Sequence, residues 1–207
     1  MDFEPLTPAR RRQQTRDYLL AAAARVFAER GFHEASLDEV AAAAGFTKGA
    51  VYSNFESKED LVLAVLEARY QDNMATLRGT LDATGDHPEQ HLSDFAGLIE
   101  TQFGDEAPAW EALFLEFCVY ALRNEPVRER LATFLAADVA GVAELIDDER
   151  ERRHEPTWEP ADHVAVIVTA LMRGLNLMRS LNPDVVDEAV LESTLRFIAR
   201  GLTGAAG

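Results

Sequence analysis

The segment from Leu37 to Leu61, LDEVAAAAGFTKGAVYSNFESKEDL, restricts the fold more than any other part of the chain. Two short stretches with helical spacing flank a glycine. The second opens on a hydroxyl residue followed by a lysine, the pattern of a short helix presented to a DNA groove. Ser36 precedes the first stretch and Glu39 follows three residues later, which predicts a capping box. Leu37, Val40, Ala41 and Ala44 then share an apolar face. Gly45 ends this helix, because glycine takes positive φ at least cost, and the turn is expected to drop Phe46 back into the core. Ala41 has to be small where the two helices cross.

Thr47 is expected to cap the second helix, and Val51 and Phe55, four apart, to bury one side of it. The opposite side carries Lys48, Gly49, Ser53 and Asn54, short or flexible residues rich in hydrogen-bonding groups. A face pressed against phosphates and base edges needs such residues. A face turned to water would show more Glu and Lys pairs at i, i+4 spacing.

These residues resemble the helix-turn-helix of the TetR family of bacterial regulators. The likeness rests on Gly31 and Phe32, Ser36 and Leu37, Val40 and Ala41, the AAG at Ala43 to Gly45, then Thr47, Lys48, Gly49, Val51, Tyr52, Phe55, Ser57, Lys58 and Leu61. It covers about the first third of the chain. Asn54 stands where the family often has His or an aromatic residue before the phenylalanine. The resemblance implies an all-α fold: a three-helix DNA-binding domain followed by a larger helical domain for ligand binding and dimerisation. It also implies that Tyr52 and Lys58 touch the DNA backbone.

The formal net charge of −16 looks unsuited to a DNA binder until it is divided by position. Residues 1–58 hold eight Arg or Lys against eight Asp or Glu, whereas residues 59–207 hold twelve against twenty-eight. The acid therefore belongs to the second part. Both lysines, Lys48 and Lys58, and the cluster Arg10, Arg11 and Arg12 fall in the first. Acidic charge farther from the phosphates than about 16 Å, two Debye lengths, is largely screened, so it does not veto DNA binding. The division expected on these grounds is a DNA-binding domain over 1–58 and a ligand-binding and dimerisation domain over 59–207. No unbroken apolar run approaches eighteen residues, and PARRRQQTR has no leader-like apolar core, so a cytoplasmic chain with no membrane partner is expected. The single cysteine, Cys118, allows no internal disulfide.

Taken in order, Met1 to Pro8 has no periodicity, and Arg10 to Arg12 reads either as an arm for phosphate or minor-groove contact or as a solvated end. Leu19, Leu20, Ala23, Val26 and Phe27 mark a first helix from about Thr15 to Arg30, ending at Gly31. After the reader segment, Ser57 is expected to cap a fourth helix running to about Leu81, with Asp60 in its first turn. Lys58 then sits at a helix start, where the dipole opposes a cation and a phosphate would relieve it. A fifth helix is expected over about Glu89 to Phe103, with Leu92, Phe95, Ala96 and Ile99 inward. His87 and His91 are four apart, but Pro88 intervenes and no third ligand is near, so no metal site is expected.

The sixth helix, PAWEALFLEFCVYALRN, is apolar on two sides and is expected to be buried. Glu116, Tyr120 and Arg123 read either as a surface stripe or as the polar edge of an effector cavity. Candidate cavity residues are Trp110, Phe114, Phe117, Cys118, Tyr120, Met172 and Asn176. A seventh helix covers about Pro126 to Arg150, and the charged DDERERRHEPTWEP is expected to be a loop or frayed end. Two apolar helices close the chain, about Ala161 to Ser180 and Asp184 to Leu202, joined at Asn182 and Pro183. The first looks too apolar to face water on any large side. By the family resemblance this pair forms a four-helix dimer interface, for which Val164, Ile167, Val168, Leu171, Leu175, Met178, Leu191, Leu195 and Ile198 are the candidates. Arg173 and Asn176 need partners, an ion pair or a cross-subunit bond being favoured over a ligand contact. About nine helices and no strands are expected.

The leading expectation is a homodimeric transcriptional regulator, a repressor by preference, released from a palindromic operator by a small apolar or amphipathic effector. Bases are assigned to Thr47, Lys48, Gly49, Ala50, Ser53 and Asn54, and phosphates to Tyr52, Lys58 and the arginines; Ser36 is counted with them. No cofactor is expected. An all-helical enzyme using Cys118 with a histidine, or Glu116 with Arg173, lacks any grouping at catalytic spacing. A protein-binding relative without operator binding is opposed by the intact Lys48, Tyr52 and Lys58.

Overall fold

A computed structural model describes residues 7–84, 106–154 and 159–203 of the chain. Eight helices are described: α1 (Pro8–Glu34), α2 (Leu37–Ala44), α3 (Lys48–Tyr52), α4 (Lys58–Thr84), α5 (Ala107–Ala121), α6 (Glu125–Arg153), α7 (Ala161–Leu181) and α8 (Glu188–Thr203). No strand occurs among the described residues, as expected. The helix expected over Glu89 to Phe103, with His87 and His91, lies outside them.

The described helices fall into two compact units. The first comprises residues 1–69 and 112–131, the second residues 70–111 and 132–207. The unit holding the reader segment is thus larger than residues 1–58, taking in the start of α4 and stretches of α5 and α6.

In the first unit, α1 begins about two turns earlier than its apolar periodicity predicts. Thr7 accepts from Arg10 N–H at 3.3 Å and Pro8 opens the helix, a cap and a starter that need no buried face. Arg10 to Arg12 are therefore helical and exposed. Gly31, at φ 74° and ψ 177°, breaks α1 where expected, and one further turn follows it. The Ser36–Glu39 capping box forms as predicted: Ser36 Oγ accepts from Glu39 N–H at 3.2 Å, and Glu39 accepts from Ser36 N–H at 2.9 Å. The Ser36 hydroxyl also donates to the Glu39 carboxylate at 2.9 Å, and this bond, with the one from Ser36 N–H, holds the Glu39 carboxyl below its ordinary value. Gly45 ends α2 in the left-handed region at φ 74°.

Thr47 caps α3, accepting from Ala50 N–H at 3.3 Å, and Ser57 caps α4, accepting from Asp60 N–H at 3.1 Å. Leu19, Ala23, Phe27, Val40, Val51, Phe55 and Leu61 form a core closed to water, with Leu113 and Phe117 of α5 buried in the same unit. Phe46 departs from expectation. It is only half-buried, against Tyr18 with ring centroids 6.3 Å apart, while Val51 of α3 and Phe55 just beyond that helix occupy the interior.

Helix α5 buries one face instead of two. Leu113, Phe117 and Ala121 are inside, whereas Leu115, Val119 and Leu122 are exposed. In the second unit, Leu175, Val186 and Leu191 pack with Leu171 and Met172, and Ile146, Ala161, Val164 and Ala165 pack with Val139, Val142 and Val168. Arg173 meets the expectation of a partner through buried Asp138, at 2.6 Å. Tyr70 donates to the Asp138 carbonyl at 2.9 Å, and burial pushes its hydroxyl up to about 12.

Two boundaries move. α6 runs on through Arg153, so the first half of DDERERRHEPTWEP is helix, not loop; its alternating charges pair along the helix, as Arg152 does with Glu149 at 3.0 Å. α8 starts at Glu188 after a turn, with Asp187 accepting from Val190 N–H at 2.9 Å. α7 is long and apolar enough, by length and composition, to cross a bilayer. Within this single chain it exposes Val166, Ile167, Met178 and Leu181, the side for which a second subunit is the expected cover.

Candidate nucleic-acid interface

α3 has five residues, too few to be stable alone. Its position comes from Val51 and Phe55, which anchor one side in the core and leave the other outward. Thr47, Lys48, Gly49, Tyr52 and Ser53 are exposed, and Ala50 and Asn54 half-buried. Ser36, also exposed, lies in the same unit at the start of α2. The outward side is uncharged apart from Lys48, whose ammonium meets Asp38 at 2.9 Å; that hydrogen bond raises its pKa. Both partners are exposed, so a phosphate can compete for the lysine.

Ser53 and Asn54 are turned onto their own helix: Ser53 Oγ donates to the Ala50 carbonyl at 2.9 Å and Asn54 Nδ2 to the same oxygen at 2.8 Å. Arg12, exposed like Arg10 and Arg11, donates to the Ser53 carbonyl at 3.0 Å and so is engaged within the fold.

Lys58 is half-buried. Its ammonium donates to the His33 carbonyl at 3.2 Å and lies 4.8 Å from the centre of the Phe32 ring. Burial lowers its pKa. The relief it needs at the start of α4 is supplied here by a carbonyl at the end of α1.

Glu116 and Tyr120 also complete this junction. Glu116 accepts from Phe32 N–H at 2.7 Å and His33 N–H at 3.4 Å, and Tyr120 donates to Glu59 at 2.9 Å. Arg130 pairs with Asp60 in the first turn of α4. Of the polar stripe, Arg123 remains exposed. The sequence marked Glu116 and Tyr120 as polar points on an apolar helix but gave no sign of their partners, which lie 61 and 84 residues away.

The candidate effector residues are divided between the two units. Phe114, Phe117, Cys118 and Tyr120 belong to the first; Trp110, Met172 and Asn176 belong to the second. In the second, Asn176 donates to buried Glu111 at 3.1 Å. Burial raises the Glu111 pKa against the pull of Arg173 and Asn176. Among the candidate dimer residues, Val164, Leu175 and Leu191 are buried within this chain, Val168, Leu171 and Ile198 half-buried, and Ile167 and Met178 exposed. The Leu195 side chain lies outside the described residues. No group of three or more His, Cys, Asp or Glu fit for a metal occurs among the described residues.

A sequence model of the bacterial regulatory proteins of the tetR family matches residues 19–65, spanning the core of α1 and both helices of the reader segment. A model of the BetI-type transcriptional repressor C-terminal region matches residues 93–203. The chain belongs to the TetR family of transcriptional regulators. This TetR-family regulator is 42% identical over 200 residues to the transcriptional activator FasR of Mycolicibacterium smegmatis, covering 93% of this chain and 84% of that protein. It is 30% identical over 167 residues to the repressor BepR of Brucella suis, covering 78% of each chain. A crystal structure of a TetR-family regulator from Rhodococcus sp. has the same fold, with a TM-score of 0.73, 23% identity, and 92% of this chain and 99% of that one covered. The TetR-family regulator is thus a helix-turn-helix DNA-binding protein, and its relatives regulate transcription rather than catalyse reactions.

One prediction separates structure from reading at Ser36. Its hydroxyl closes the α2 capping box, so Ser36→Ala should lower stability by about 1 kcal/mol, read as a lower urea midpoint at unchanged slope. An unchanged midpoint with weakened DNA binding would assign the hydroxyl to DNA instead.

Proposed function

We propose that this regulator acts in the cytoplasm as a homodimer on a palindromic operator, and that a small molecule held by the second unit shifts the balance between operator-bound and free states. One α3 reads only a few base pairs, and a two-fold pair of them, about 34–36 Å apart or a multiple of it, meets successive major grooves. Release then requires a ligand that favours the mis-spaced state, with a coupling of roughly 1–3 kcal/mol being typical. Thr47, Lys48, Gly49 and Ala50 would face bases, and Tyr52, Arg10 and Arg11 phosphates. Ser53 and Asn54 would have to leave the Ala50 carbonyl to join them.

The observation that carries the dimer is the uncovered apolar side of the last two helices. On α7, Ile167 is 61% exposed and Leu181 78%; on α8, Phe197 is 71% exposed. Gly174 lies between, and a Cβ there would meet nothing within 4 Å. Ile167, Gly174 and Leu181 recur every seven residues and so share one side of α7, and exposed apolar surface of this kind is typical of an interaction site. Covering it with a second copy also accounts for an apolar helix that its own chain leaves half bare.

Ile167→Glu tests this. Sedimentation should show the wild-type chain as a dimer and the variant as a monomer, and operator binding in a gel shift should fall by about 100-fold or more, since one half-site loses its partner. A variant that stays dimeric and binds normally would move the interface elsewhere. Repression is the first reading of the regulatory sign. Activation is favoured by the name of the relative at 42% identity, and a reporter driven by the upstream intergenic DNA, with and without the protein, decides between them.

A further inference from the structure

The end of the reader helix is held by two arginines of α1. Arg12 and Arg16 are four apart and share a face of α1. Arg12 donates to the Ser53 carbonyl at 3.0 Å, and Arg16 donates to the Asn54 carbonyl at 3.0 Å while its guanidinium lies 4.3 Å over the Phe55 ring. Arg16 is half-buried, and Phe55 is closed to water.

We infer that Arg12 and Arg16 form a clasp that sets the roll of α3 and so positions its outward side for reading bases. Two consecutive peptides at the C-terminal end of a helix, where carbonyls lack helical partners, are each bonded to a different guanidinium of one rigid element. One bond would leave the end free to pivot about it; two bonds and the Phe55 stack do not. The positive charges also oppose the negative end of the α3 dipole. A helix of five residues with no long hydrogen-bond ladder has little else to resist rolling. The clasp thus acts on the bases through α3, without either arginine being spent on a base. Arg12, which its charge alone would send to a phosphate, is assigned here to the protein.

This inference rests on the DNA-reading role of α3, and its test separates the two. The full-length wild-type protein first selects duplexes from random-sequence DNA, and the selected duplex is compared with a scrambled one of equal length across a salt series. For Arg12→Met and Arg16→Met, affinity for the selected duplex should fall by about tenfold or more, the size that follows loss of a hydrogen bond to a charged group. Affinity for the scrambled duplex and the slope of log K against log salt should stay as in wild type. Arg16→Lys, which keeps the charge but loses the planar fork and its stack, should resemble Arg16→Met.

Equal losses on both duplexes, with the salt slope smaller by about one per arginine, would make them phosphate contacts and overturn the clasp. Unchanged affinity for both duplexes would overturn it too. Arg12 is exposed, so Arg12→Met keeps the fold and carries the test if the Arg16 variants do not. A wild-type chain that selects no duplex would overturn sequence-specific reading itself, and the positioning role with it.

Discussion

Replacing Phe32 with alanine should lower stability by about 3–5 kcal/mol, the usual cost of emptying a buried aromatic site. Phe32 is 3% exposed and stands between elements that the chain brings together from far apart. Its ring centroid is 5.2 Å from that of Phe117 and 4.9 Å from that of Tyr120, both on α5, while the Lys58 ammonium lies 4.8 Å from it. Truncation therefore leaves a cavity beside α5 and removes the aromatic face on which a half-buried ammonium rests. With a total stability of about 5–15 kcal/mol typical of such domains, the loss removes a large share of the total, and the variant should unfold at a clearly lower urea concentration than wild type. Urea unfolding followed by far-UV circular dichroism measures the loss. A change below about 1 kcal/mol would mean that the junction repacks and that Phe32 is not its keystone.

Gly31→Ala is the second large effect, at about 2–4 kcal/mol, and it has two separable parts. The first is backbone strain, because φ 74° with ψ 177° is a conformation that essentially only glycine adopts. The second is steric. A Cβ at position 31 would lie 2.6 Å from Oε1 of Glu116, whose carboxylate accepts from Phe32 N–H at 2.7 Å. The carboxylate cannot swing aside without leaving that buried amide unpaired.

A double-mutant cycle distinguishes the parts. In a Glu116→Ala background the steric part is already gone, so Gly31→Ala should cost only its backbone share, and the two substitutions should be less than additive. Strict additivity would show that Glu116 does not sense position 31. Because this junction is also where Lys58 sits, both variants should weaken DNA binding of the whole population in proportion to the unfolded fraction, without altering base preference.

Much of the reader segment was legible because its determinants are local. A cap acts over three residues, a glycine turn over one, and an apolar pair over four, so Ser36 with Glu39, Gly45, Thr47 and Ser57 with Asp60 all behave as their spacing requires. Where reading by periodicity fell short, a polar or short-range signal outweighed the apolar one. The first two turns of α1 bury little, so hydrophobic spacing could not find them, although Thr7 and Pro8 mark the start. The charged run after Leu145 has the composition of a loop and yet is helical through Arg153.

From the sequence alone came the all-α class, the outward helix led by Thr47, the glycine breaks at Gly31 and Gly45, and the concentration of acid after residue 58, since these depend on residue type and short spacing. Only the tertiary structure decided what the long polar side chains do. Lys58, Arg12, Arg16, Glu116 and Tyr120 each reach a partner between 25 and 84 residues away. Nothing in their neighbours along the chain specifies those pairings. A charged group has one intrinsic chemistry and many possible partners, and the packing of distant helices selects which one it meets.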